Sequence, residues 1–208
     1  MIDTKEKILQ RALEMFNEKA IEYVGLREIA KDLNMRVGNI TYYFPTKDDL
    51  VMALIDGLRK RNEHLILYEN TPGMLAFLQR LQQQYQNQLY YKCLLLSFVH
   101  IMRWNQRAAE MYRGLQDRRY NSIDKVLSLL HKNGYLNTEG MRQKDLLVNI
   151  FALHNRFWLS EAQISFSDLD DEAVMRKYLR NFALFLYPYA TDKGIGDIDT
   201  FISSLQAV

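Results

Sequence analysis

Residues 26–50 read LREIAKDLNMRVGNITYYFPTKDDL. Leu26, Ile29, Ala30 and Leu33 recur at helical spacing, and Gly25 opens the run. A second run from Val37 to Phe44 stops at Pro45, because the residue before a proline is pushed out of the helical region. Asn34-Met35-Arg36 is all that joins the two. Helices of about two turns joined by about three residues must cross steeply, which is the geometry of a helix-turn-helix. Thr46 then caps a new helix, and Asp48 and Asp49 favour the positive end of its dipole.

In such a motif the second helix enters the DNA major groove, so it needs one apolar and one polar face. Ile40 and Phe44 are four apart and point inward, with Val37 or Tyr43 beside them. Asn39, Thr41 and Tyr42 are then left to face outward. Asparagine pairs bidentately with adenine, and threonine offers a methyl to thymine. Tyrosine hydroxyls reach phosphate oxygens. Gly38 removes a side chain where the helix approaches the sugar-phosphate wall, and Lys47 and the N–H groups around it suit a phosphate.

With order, spacing and turn chemistry together, residues 26–50 resemble the TetR family of bacterial transcriptional regulators. The likeness covers about the first 60 residues. It implies that Arg27 contacts the DNA backbone or a base edge, that Arg36 begins the recognition helix, and that Lys47 takes a phosphate. The candidate DNA-binding set is therefore Arg27, Arg36, Val37, Gly38, Asn39, Thr41, Tyr42, Tyr43 and Lys47. Three positions depart from the family pattern. Asn34 stands where glycine is usual, which is tolerable because asparagine enters the left-handed region readily. Arg36 replaces the usual Ser or Thr, and Thr41 stands where many members have Tyr.

Outward from this stretch the pattern stays helical. Ile8, Leu9, Ala12, Leu13 and Phe16 mark a first helix, with Asp3 and Glu6 as a possible capping box. The helix after Thr46 runs to about Tyr68, where Thr71-Pro72-Gly73 breaks the chain. Longer helices are expected over 74–90, 92–104, 106–132, 141–165 and 171–187, with a C-cap at Gly134 and a short helix over 198–206. The fold class is all-α: an N-terminal three-helix DNA-binding domain and a C-terminal helical bundle. The expected division is 1–48 for the helix-turn-helix, 49–70 for a connecting helix four, and 71–208 for ligand binding and dimerisation. Nine glycines and three prolines suit long helices better than a many-turned β fold.

Composition narrows the function. A net charge of +2 does not by itself argue for nucleic acid, and residues 1–63 hold eleven Lys/Arg against eleven Asp/Glu. The lone Cys93 excludes an internal disulfide and a cysteine-rich zinc site. His64, His100, His131 and His154 lie far apart, with no carboxylate or second histidine at i+3 or i+4. No hydrolase, zinc-protease or phosphate-loop motif is present, so neither an enzyme nor a cofactor nor a metal is expected. MIDTKEKILQ carries no apolar signal region and no run is long enough to span a membrane, so a cytoplasmic protein is expected.

The resemblance implies that the bundle binds a small effector and a second copy of the chain. Tyr85, Tyr90, Phe98, His100, Met102, Trp104 and Tyr112 are candidates for a largely apolar or aromatic effector. Leu147, Ile150, Phe151, His154, Trp158, Tyr178, Phe182 and Phe185 form wide apolar stripes on the two helices expected at the dimer interface. Helix four is the expected mechanical link to the recognition helix. The expected function is a ligand-responsive regulator, by family default a repressor, bound as a homodimer to a pseudo-palindromic operator. An all-α ligand-binding or interaction module with a degenerate helix-turn-helix is the alternative.

Overall fold

Helix α2 (Leu26–Asp32) ends where Asn34 turns left-handed, at φ +53°. Met35 N–H then reaches back to the Ala30 carbonyl at 2.9 Å, which closes the helix end and turns the chain into α3 (Val37–Tyr43). The turn residue is thus in the left-handed conformation that its sequence position requires. Preceding it are α1 (Thr4–Lys19) and a short 3-10 turn, Ile21–Tyr23; following it is α4 (Lys47–Glu63). The structure, a computed structural model, describes residues 3–63, 65 and 73–205. His64, Tyr68, Thr71, Pro72 and the last position of the expected 198–206 helix lie outside these.

The described residues contain thirteen α-helices and no strand: after α4 come α5 (Met74–Tyr90), α6 (Lys92–Leu96), α7 (Phe98–Trp104), α8 (Gln106–Gly114), α9 (Gln116–Lys132), α10 (Thr138–Arg142), α11 (Lys144–Ser165), α12 (Asp171–Phe185) and α13 (Asp192–Ser204). They divide into two compact units, one of residues 1–61 with 90–114, the other of 62–89 with 115–208.

In the first unit Ile8, Ala12 and Phe16 of α1 share a core with Ile29, Ala30, Ile40, Phe44, Leu50 and Leu54. Several local expectations need correction. Asp3 stands at the N-cap of α1, but its side chain makes no capping bond. The expected 92–104 helix breaks at Ser97, whose hydroxyl donates to Glu22 Oε2 at 2.8 Å. The expected 106–132 helix breaks after Gly114, a weak helix former. Cys93 is buried among leucines, which pushes its thiol up to about 12 and leaves it unreactive.

In the second unit, α10 splits from the helix expected at 141, and Asn137 caps it by accepting the Gly140 N–H at 2.8 Å. The last helix begins at Asp192, not 198. Two glycines interrupt its apolar pattern, and Gly194 is needed because a Cβ there would sit 2.2 Å from the Tyr135 carbonyl oxygen. Gly134 takes φ +76° at the end of α9, as a C-terminal glycine does.

The core of this unit is aromatic. Phe151 of α11 meets Phe77 and Phe182 at 5.8 and 5.4 Å between ring centroids. Tyr85 stacks on Trp158 at 4.4 Å. A polar string runs through it: Trp158 Nε1–H donates to Gln88 Oε1 at 2.5 Å, and Gln88 Nε2 donates to Asn155 Oδ1 at 3.1 Å. No buried side-chain nitrogen or oxygen among the described residues lacks a partner. The apolar stripes expected at a dimer interface are therefore largely internal. Leu147, Phe151, Trp158, Tyr178 and Phe182 are buried within one chain, while Ile150, His154 and Phe185 are half-buried. The outward stripe of α11 is Leu146, Ile150, Leu153, Phe157 and Ile164, at spacings of four, three, four and seven. Leu153 is 51% exposed and Ile164 84%.

His154 sits in this apolar surround, and burial pushes its imidazole down to about 4 from the ordinary 6.5. The Tyr85 hydroxyl lies 2.5 Å from its Nδ1, where a neutral ring accepts. The unfolded chain binds this proton more tightly, so stability is complete above about pH 6.5 and is lost as pH falls toward 4. Between pH 6.5 and 5 the loss should be roughly 2 kcal/mol. Asparagine at 154 keeps an acceptor near the same place but does not titrate. Urea unfolding followed against pH should show a flatter slope in His154→Asn, and an equal slope would rule this origin out.

Candidate nucleic-acid interface

Ile40 and Phe44 are the inward anchors of α3, at 0% and 2% exposure. Everything else on the helix follows from that placement. Arg36, Gly38, Asn39 and Tyr42 are exposed, and Val37, Thr41 and Tyr43 are half-buried. Tyr42 is 80% exposed and meets Tyr43 edge to face at 5.0 Å. The three adjacent aromatics thus divide their work: Tyr42 faces out, Tyr43 lies at the boundary, and Phe44 enters the core. Thr41 Oγ donates back to the Gly38 carbonyl at 3.3 Å. Arg27 is exposed on α2.

The start of α4 is held by a reciprocal capping box. Thr46 N–H donates to Asp49 Oδ2 at 3.1 Å, and Asp49 N–H donates to Thr46 Oγ at 3.2 Å. Hydrogen bonds from Thr46 and Arg107 hold the Asp49 carboxyl below its usual range. Lys47 is half-buried, and burial pushes its ammonium below the ordinary lysine value. Its Nζ lies 3.4 Å from the Glu22 carbonyl and 6.0 Å from the Phe16 ring centroid. The lysine is therefore tethered beside the 3-10 turn, where Tyr23 stands 79% exposed. No local pattern marks Tyr23. It lies near Lys47 only because that lysine reaches the turn across the fold.

The effector candidates fall in both units. Tyr85 is wholly buried in the second unit. The other six lie in the first unit, each differently engaged. Tyr90 donates to Gln10 Oε1 at 2.8 Å, Phe98 meets Tyr112 at 5.0 Å, Met102 is half-buried, and Trp104 is 72% exposed beside His100. A cavity of about 390 Å³ in the second unit is lined by Tyr120, Asn121, Asp124, Asp145, Val148 and Asn149, none of them among the seven. No helix among the described residues is long and apolar enough to cross a membrane, and no group of three or more His, Cys, Asp or Glu is placed to hold a metal.

Residues 8–54 match the family described as bacterial regulatory proteins, tetR family, and residues 59–196 match the one described as bacterial transcriptional repressor. The chain belongs to the TetR family. It is similar to the probable HTH-type transcriptional regulator YttP of Bacillus subtilis (strain 168), at 39% identity over 54 residues; the match spans 26% of this chain and 26% of that relative's length. Its fold is that of a TetR-family transcriptional regulator from Marinobacter aquaeolei VT8, with TM-score 0.87, 17% identity, and 98% and 99% of the two chains covered. Mycobacterium smegmatis AmtR shares the fold at TM-score 0.62 and 16% identity, over 99% of this chain and 95% of that one. These distant likenesses speak to fold alone. Family membership makes the chain a transcriptional regulator, and its helix-turn-helix a DNA-binding one.

Gly38 follows from the same geometry. A Cβ at that position meets nothing within 4 Å, so packing inside the chain does not require the glycine. Glycine in a helix costs roughly 0.5–1 kcal/mol relative to alanine. Gly38→Ala should therefore leave stability unchanged or raise it by up to that amount, yet weaken DNA binding by crowding the backbone. Thermal unfolding paired with DNA titration checks both halves; unchanged DNA affinity would show that the glycine serves neither.

Proposed function

We propose that the chain is an effector-responsive repressor that binds a pseudo-palindromic operator as a homodimer. The observation that carries this reading is the polar outward face of α3, with Asn39, Thr41 and Tyr42 presented by two buried anchors. One recognition helix of seven residues reads only a few base pairs, so specificity calls for two copies. The outward stripe of α11 suits a second copy of the chain, with Leu184 and Phe185 of α12 adding apolar area. The family description of the larger matched region as a repressor supports that sign of regulation.

In this reading residues 1–48 bind DNA, 49–70 connect, and 71–208 bind effector and partner. Asn39 reads a base edge; Arg27, Arg36, Tyr42 and Lys47 take backbone oxygens. The effector is small and largely apolar or aromatic, in keeping with the aromatic interior of the second unit. It alters DNA affinity only by binding two conformations unequally. No catalytic step belongs to this reading.

Binding to the DNA upstream of the protein's own gene, followed by fluorescence anisotropy, tests the whole. Asn39→Ala should cost ~1–3 kcal/mol on the cognate site and relax its sequence preference. Lys47→Ala should weaken all sequences alike and flatten the salt dependence by about one ion. A wild type that binds no DNA would instead favour an interaction module with a degenerate helix-turn-helix.

Assembly is tested separately. Leu153→Glu places a charge in the middle of the outward stripe and should give a monomer in sedimentation, with operator affinity lost. Phe182→Glu would instead unfold the second unit, because Phe182 is internal. A Leu153→Glu protein that remains dimeric moves the interface elsewhere.

A further inference from the structure

The first unit holds more than the helix-turn-helix, because residues 90–114 pack with it. They grip α4 along its length. Near its C-terminal end, Arg61 lies 4.0 Å from the Tyr90 ring centroid and 5.7 Å from that of Tyr91. Gly57 lacks a side chain where a Cβ would stand 2.6 Å from Tyr91 Oη. At the N-terminal end the grip is polar. Asn105, buried at the corner between α7 and α8, caps α8 by accepting the Ala108 N–H at 3.0 Å and points its Nδ2 at the Asp48 carbonyl, 3.5 Å away. Two residues on, Arg107 Nη1 reaches Asp49 Oδ1 at 2.6 Å.

That last contact falls on a carboxylate already in use. The other oxygen of Asp49 accepts from the N–H and the hydroxyl of Thr46, at 3.1 and 2.7 Å. Thr46 follows Pro45, whose ring sets φ, and Pro45 follows Phe44, the inner anchor of the recognition helix. Arg107 therefore stands at one end of a short chain of constraints that reaches α3. An ion pair this exposed, with the arginine side chain 66% open to solvent, adds little to global stability. Its effect is directional: the guanidinium holds Oδ1 while Thr46 holds Oδ2, so the carboxylate is fixed from both sides.

We propose that Arg107, far from the helix-turn-helix in sequence, is a positioning residue for DNA binding: through Asp49 it holds the first turn of α4 in the orientation in which Thr46 and Lys47 meet the DNA backbone. This rests on the DNA-binding reading of α3 and α4 above. It adds to the head a corner outside residues 1–61, and it makes α4 part of a gripped body instead of a lever that tilts alone.

The test compares wild type, Arg107→Ala and Arg107→Lys on the same operator. Arg107→Ala should lose roughly tenfold in affinity, equivalent to about 1.4 kcal/mol, with the thermal midpoint nearly unmoved. The loss should shrink in a Lys47→Ala background, since Arg107 acts through the turn that presents Lys47. Arg107→Lys, which keeps a charged donor on a more flexible stem, should recover part of the loss. In the DNA-free protein, amide exchange should quicken at Asp49 and Leu50, whose N–H groups bond back to Thr46. Unchanged affinity in Arg107→Ala overturns the proposal. So does a loss of the same size in a Lys47→Ala background, which would make Arg107 act on DNA independently of that turn. A wild type that binds no operator defeats the DNA-binding reading and this role together, and the exchange measurement then still reports whether the grip on α4 exists.

Discussion

A helix of seven residues cannot hold itself together in water, because nucleation costs more than two turns of hydrogen bonds return. The recognition helix α3 exists because Ile40 and Phe44, one turn apart, are buried where it packs on α1 and α2. That single pair of anchors sets the rotation of the helix about its axis. Asn39 and Tyr42 then have only one direction to face. The left-handed turn at Asn34 sets the approach of the chain, and Pro45 ends the helix before a third anchor is needed. DNA recognition in this protein depends on apolar burial on the opposite side of the helix.

The next constraint is the start of α4. A helix N-terminus leaves several N–H groups without partners. Thr46 and Asp49 satisfy part of this need locally, and Asn105 and Arg107 brace the turn from a distant segment. Lys47 is tied back to the Glu22 carbonyl and lies against Phe16. The helix-turn-helix, the start of α4 and the 3-10 turn are thus all referred to one small core.

In the second unit the physical problem differs. Gln88, Asn155, His154 and Tyr85 put polar groups inside an aromatic interior, where an unpaired donor or acceptor would be costly. Each finds a partner, so the bundle is specific in register as well as apolar. The same packing explains why the widest apolar stripe of α11 is turned inward. Phe151 and Trp158 fill space against α5 and α12, and a narrower stripe through Leu153 remains outside.

Much was legible from sequence where the controlling physics is local. Helical periodicity identified nearly every helix; Pro45, Asn34 and Gly134 marked ends whose geometry depends on their own backbone preferences. The inward and outward faces of α3 could be read because it is short and its anchors are one turn apart. Legibility failed where distant residues decide. Ser97 breaks a helix by bonding to Glu22, and Gly194 sits in a helix because of the Tyr135 carbonyl. An apolar stripe on α11 shows that it is buried without showing against what: Leu147, Phe151 and Trp158 are buried within the chain, while Ile150 lies on the outward side. The aromatic residues grouped as one effector site belong to two different units. Nothing in the residues around Arg107 marks it, and only the tertiary structure places it on Asp49. Local backbone preference and periodicity are written in neighbouring residues; which side chain meets which across the fold is decided by packing, and packing is a property of the whole chain.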